Sequence, residues 1–122
     1  MMRGIVNARC EATLSILIGN GNGRSQTINA VIDTGFSGHL TLPSAIIQTL
    51  QLPWSASDRV TLGDGSEALF DVYGATIRWH GKSRDIDVAE SETEPLIGMS
   101  LLYRYRLQID TIAGGGVRVD PL

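Results

Sequence analysis

The residues best suited to chemistry lie in one run, Val31-Ile32-Asp33-Thr34-Gly35-Phe36-Ser37-Gly38. An apolar pair leads directly into an acid, a small hydroxyl residue and a glycine. This order predicts a buried strand ending at Ile32 that delivers Asp33 onto a tight loop, which Gly35 makes possible. A carboxylate at the end of an apolar strand is costly unless neighbours hydrogen-bond it or it moves protons in a reaction. Asp33 is therefore a candidate general acid or base.

Other chemistry-bearing side chains have plainer readings. His39 and His80 have no partners at metal-ligand spacing and read as surface or turn residues. Cys10 reads as a small buried apolar residue rather than a nucleophile. No Gly-x-Ser-x-Gly run is present for serine hydrolase chemistry. Gly19-Asn20-Gly21-Asn22-Gly23 is a hairpin tip; a phosphate cradle would need a helix or a lysine after it. No acids follow Asp64 at the regular offsets of a metal loop. No cofactor and no metal are expected. Trp54 and Trp79 read as packing residues, with Trp79 also a candidate to line a groove.

The elements that must position Asp33 are mostly strands. Ala12, Leu14, Ile16 and Ile18 alternate on one face, and Ile28, Ala30 and Ile32 do so after the Gly/Asn turn, giving a hairpin whose outgoing arm carries Asp33. His39 to Leu42 reads as a short strand. Pro43 fits the first turn of a helix whose Ala45, Ile46, Ile47 and Leu50 recur at helical spacing. Trp54 to Ser57 reads as a loop, and Arg59 to Leu62 with Glu67 onward as a second hairpin around Gly63-Asp64-Gly65. Val72 to Trp79 and Lys82 to Ala89 pair across His80-Gly81. Leu96-Ile97 is a brief buried strand, Met99 to Tyr103 a helical turn, and Arg106 to Ile109 and Val117 to Val119 are the last strands. The pattern is all-β with one or two short helices and points to a closed or partly closed barrel.

Asp33-Thr34-Gly35 after an apolar pair resembles the active-site loop of the aspartic proteases, and the chain length resembles their single-lobed, retropepsin-like branch. Pro95-Leu96-Ile97-Gly98-Met99-Ser100-Leu101-Leu102 resembles the family's apolar-apolar-Gly segment with its short helix. The two segments lie in the family's order with a hairpin between them, so the resemblance runs roughly from Leu14 to Val119. It implies a single-lobed closed β-barrel of the acid-protease type. It implies Asp33, Thr34 and Gly35 as catalytic-loop residues, with the Thr34 hydroxyl reaching a partner subunit's backbone. Leu62, Gly63, Asp64 and Gly65 would form a flap over bound peptide, although Gly-Asp-Gly is also an ordinary tight turn. Leu96, Ile97 and Gly98 would pack behind the loop.

The implied reaction needs two carboxyl groups sharing one proton. The chain has one Asp-Thr-Gly, so the enzyme reading requires a homodimer with Asp33 from each subunit and a peptide or protein substrate. The alternative is a non-catalytic module that binds peptides or dimerises and uses Asp33 as a loop cap. Two departures from the retroviral pattern concern the dimer. Ser37 stands where those enzymes often have Asp, and Met99 where they have Arg, so an ion pair implied by the resemblance is absent at both ends. Phe36 stands where two-lobed acid proteases often have Ser or Thr, and it cannot donate a hydrogen bond to the carboxylate.

At 122 residues the chain predicts a single domain over 1–122, large enough to bury a core. With 43% apolar residues and 14 glycines it suits a turn-rich β-protein. A net charge of −3 gives no reason to expect nucleic acid or an anionic membrane as partner. No apolar run approaches the roughly 20 residues of a membrane span. Met1-Met2-Arg3 opens a mixed segment rather than a signal core, and with a single cysteine the expected compartment is the cytoplasm.

Overall fold

The computed structural model describes residues 1–61 and 63–122. Period-two alternation produces the frame. Strands β2 (Ala12–Gly19) and β3 (Ser25–Ile32) form an antiparallel hairpin in register from Thr13↔Val31 to Gly19↔Ser25. At its tip Gly21 and Gly23 take φ of 76° and 93°, and the Asn20 side chain accepts the Asn22 N–H at 2.7 Å while donating to the Leu50 carbonyl at 2.9 Å. Polar turn chemistry thus ties the tip to the helix above it.

The barrel is a ring of six strands. From β3 it passes to β8 (Leu96–Ile97), β4 (Leu40–Leu42), β7 (Lys82–Glu90) and β6 (Glu67–Trp79), and returns to β2. The β3–β8 and β4–β7 contacts are parallel. Closure rests on two residue pairs, Ile18↔Ile77 and Gly19↔Thr76. Leu14, Ile16, Ile18, Ala30, Leu40, Ile77, Val88 and Ile97 fill the interior, as the alternation predicts. Among the described residues no helix is long and apolar enough to cross a membrane.

Several boundaries differ from the sequence reading. The mixed N-terminal segment is strand β1 (Met2–Val6), antiparallel to both β2 and β10 (Gly116–Pro121), and β10 pairs on its other side with β9 (Tyr105–Ile109). Gly4 masks the alternation of Met2 and Val6, and it is glycine for want of room: a Cβ there would collide with the Thr13 carbonyl oxygen. Strand β5 starts at Trp54 and runs to Thr61, where a loop was expected. It projects from the barrel with its described side chains exposed, so burial imposes no periodicity on Ser55, Ala56, Ser57 and Asp58. Cys10 is exposed, at φ 63° in a tight turn, and not buried.

Helix α1 (Ser44–Leu50) buries Ile47 and Leu50, and Pro43 is its N-cap rather than a residue of its first turn. Proline supplies no capping side chain, so Glu92 from the loop after β7 takes that place and accepts the Ser44 N–H at 2.9 Å. That bond holds the Glu92 carboxyl below its usual range. Helix α2 (Met99–Leu102) is a single turn.

Trp79 is packed into the core and is not free to line a groove. His80 follows it at φ 53°. Its ring stacks on Tyr105 at 4.6 Å, and both ring nitrogens are buried without a hydrogen-bond partner. Burial first, and then the N-terminal ammonium, hold its pKa below the ordinary imidazole value, against an opposing pull from Asp120. Because the folded pKa lies below the unfolded one, protonation favours the unfolded chain. The contribution is intact above the unfolded value of about 6.5 and is lost as pH falls through the depressed folded value. The urea midpoint of the wild type is therefore expected to fall more steeply below about pH 6.5 than that of His80→Asn, since Asn tolerates the left-handed backbone. Parallel pH profiles for the two proteins would remove His80 as a source of acid sensitivity.

Candidate active site

Strand β3 ends at Ile32 and the chain turns at once. The Asp33 N–H donates to the Ile97 carbonyl at 2.9 Å, which fixes where the acid leaves the sheet. The Gly35 N–H donates to Asp33 Oδ1 at 2.9 Å, and the Phe36 N–H to the Asp33 carbonyl at 3.1 Å. Asp33 is half-buried, while Thr34 and Gly35 are exposed. Among the described residues the Thr34 hydroxyl has no partner within the chain. The loop thus holds one carboxylate in a fixed direction at an accessible rim, with the backbone supplying one charge-assisted hydrogen bond.

The second predicted segment lies directly behind this loop. Val31↔Leu96 and Ile32↔Ile97 pair in parallel, and Leu40↔Ile97 closes the other side. The buried Thr41 hydroxyl accepts the Leu96 N–H at 3.0 Å. Beyond β8, amides bind the loop's carbonyls one after another. Gly98 donates to His39 at 3.0 Å, Met99 to Phe36 at 2.8 Å and Ser100 to Gly38 at 3.1 Å. Helix α2 therefore starts on the carbonyls of the candidate loop. Gly98 is buried at this contact, and a Cβ there would collide with the Gly38 carbonyl oxygen and lie 2.6 Å from Phe36 Cδ2.

The half-buried Phe36 ring folds back over Gly38, where a Cβ would lie 2.5 Å from Cζ. Ser37 and Met99 both stand at the surface. They share an open cavity of about 750 Å³ with Arg84, Arg104 and the exposed Tyr103 and Leu122, so the uncharged pair is bordered by both apolar and cationic side chains.

Glycines 63 and 65 lie at the tip of the β5–β6 hairpin; Leu62 lies outside the described residues. Gly65 has φ 85°, and the Asp64 carboxylate accepts the Ser66 N–H at 2.9 Å as well as the Ser66 hydroxyl. Those bonds hold the Asp64 carboxyl below its usual range. Nothing lies within 4 Å of a Cβ built at Gly63 or Gly65, so the tip stands clear of the barrel.

Between the loop and the base of this hairpin is a cavity of about 660 Å³. Gly35 to Leu40 form one wall, and Asp58, Arg59, Phe70 and Val72 of the hairpin another, with Asp87 and Glu90 from β7. Sequence reasoning singled out none of these six hairpin and β7 residues. Their only signal was alternation on strands whose partners were not yet known. His39 also faces the cavity, and its pKa lies below the usual value, first through burial and then through Arg84, with Asp87 opposing.

Among the described residues no group of three or more His, Cys, Asp or Glu side chains is placed to hold a metal ion. One chain supplies one Asp33 carboxylate on a hydrogen-bonded loop, beside an open cavity walled by a hairpin. No protein-family model matches this sequence, and no curated protein matches it. Among solved structures it is similar to EIAV protease complexed with the inhibitor HBY-793, with 22% sequence identity and a TM-score of 0.54 over 79% of this chain and 88% of that one. At that identity the likeness is one of fold. The chain has the retropepsin-like fold, a closed β-barrel with two short helices.

Proposed function

We propose that this protein is a homodimeric aspartic endopeptidase in which the Asp33 carboxyls of two subunits share one proton across a two-fold axis. The observation that carries this reading is the setting of Asp33: a half-buried carboxylate, oriented by the Gly35 N–H, on a loop whose carbonyls are bound by the turn behind it.

In the reaction, the ionised carboxyl takes a proton from water while the neutral one gives its proton to the scissile carbonyl oxygen. The hydroxide adds to the carbonyl carbon and forms a gem-diol. Collapse breaks the C–N bond as a proton passes to the leaving nitrogen, giving a carboxylic acid and an amine. Thr34, whose hydroxyl has no partner among the described residues of its own chain, bonds to the partner subunit's backbone. The β5–β6 tip closes over an extended peptide and excludes water.

The dependence on two copies is tested by dilution and mixing. Specific activity is expected to fall on dilution below the dimer dissociation constant. With exchanging subunits, an equal amount of Asp33→Asn protein should lower activity per wild-type chain to about half, because mixed dimers carry one acid. A fully active species that sediments as a monomer would overturn the shared-site reading.

A further inference from the structure

The cavity between the Asp33 loop and the hairpin combines two kinds of surface. Phe36, Phe70 and Val72 are apolar residues of its lining, and Asp58, Asp87 and Glu90 are acidic ones. Among the described lining residues there is also Arg59, whose Nη1 lies 3.5 Å from Glu67 Oε2 in an exposed pair. Among the described residues none of the three lining carboxylates has a cationic partner within 4.0 Å. His39, with its pKa lowered, stays neutral near pH 7 and adds no competing charge.

We propose that this cavity is a substrate pocket that selects a lysine or arginine side chain close to the scissile bond. The inference rests on the peptidase reading for its substrate and on the cavity lining for its selectivity. A long cationic side chain matches both surfaces, because its methylene stem lies along apolar groups while its charged head stays at a polar rim. A carboxylate without a cationic partner favours an entering cation and disfavours an acidic residue in the peptide. A norleucine residue would fill the stem space and leave the carboxylates as they were.

The test uses peptides that differ at a single position near the scissile bond, bearing lysine, norleucine or glutamate at each position in turn. Binding to the full-length Asp33→Asn protein is read by fluorescence anisotropy, and kcat/KM by cleavage with the wild type. At one position lysine should bind about tenfold more tightly than norleucine, the scale of one charge-assisted hydrogen bond, and glutamate more weakly than both. The preference should shrink with added salt. It should vanish in an Asp87→Asn/Glu90→Gln variant and turn toward glutamate in Asp87→Lys/Glu90→Lys. Equal binding of lysine and norleucine at every position, or a preference that survives both double variants, would overturn the pocket assignment. The two readings fail separately. Cation-selective binding without cleavage by the wild type keeps the pocket and removes the peptidase. Cleavage and binding without cation preference keep the peptidase and remove the pocket.

Discussion

Replacing Asp33 by Asn is expected to reduce peptide cleavage by at least about a thousandfold, the range of a positioned general acid–base group. The amide has the shape of the carboxylate and keeps an oxygen for the Gly35 N–H, which lies 2.9 Å from Oδ1 in the wild type. What it loses is the capacity to take a proton from water, and in a symmetric dimer both members of the pair are lost together. Stability should change by no more than about 0.5 kcal/mol, as for a substitution that keeps its local hydrogen bond and creates no buried charge. The measurements are kcat/KM on a peptide substrate and a urea midpoint for each protein. Cleavage retained by purified, folded Asp33→Asn protein would end the aspartic-peptidase reading. A folded, dimeric wild type that binds peptides but cleaves none would favour the non-catalytic alternative.

Gly98→Ala is expected to be the most damaging small substitution behind the site. The added Cβ would meet the Gly38 carbonyl oxygen, with Phe36 Cδ2 at 2.6 Å and the Phe36 carbonyl oxygen at 2.7 Å. Those two carbonyls are also the acceptors for the Ser100 and Met99 amides. Relief would have to break the hydrogen bonds that hold the loop. The expected cost is about 3 kcal/mol, the upper part of the overpacking range. In molecules that remain folded, a loop shift of roughly 1 Å would cost about a hundredfold in turnover. Phe36→Ala should not rescue the variant, because two of the three closest atoms are backbone oxygens. Gly63→Ala, whose Cβ enters open space, serves as the control with unchanged stability. A Gly98→Ala protein with wild-type stability and turnover would mean that the loop does not rest on this contact.

The distribution of what could be read in advance follows from the range of each cause. Val31 to Gly35 and Leu96 to Gly98 were legible because their signals are local: an apolar pair, then a residue type that only a tight turn or a close approach requires. The structure sets both segments side by side in parallel pairing. Strand β1 was hidden because Gly4 is explained by a carbonyl of β2, nine residues on. The start of β5 was hidden because a ribbon standing off the barrel has no buried face to impose alternation. Pro43 was placed one step too far into its helix, since the group that satisfies the first turn, Glu92, comes from another part of the chain. The carboxylates of the 660 Å³ cavity come from β5 and β7, and only the strand order brings them together.

The incomplete wrapping of the sheet has a consequence for behaviour in concentrated solution. Six strands close on themselves and have no exposed edge, but the order of the sheet still ends at β5 on one side and β9 on the other. Each terminal strand offers unpaired backbone groups to any extended chain that meets it, the geometry from which intermolecular stacking starts. On β9 the apolar residues Tyr105, Leu107 and Ile109 turn inward, and the exposed Arg106 and Gln108 alternate with them. On β5 the exposed Ser55, Ser57, Asp58 and Arg59 give that edge hydroxyl groups and charges of both signs. These polar side chains, with Trp54 the exposed apolar exception at the start of β5, act against edge-to-edge association between copies of the chain.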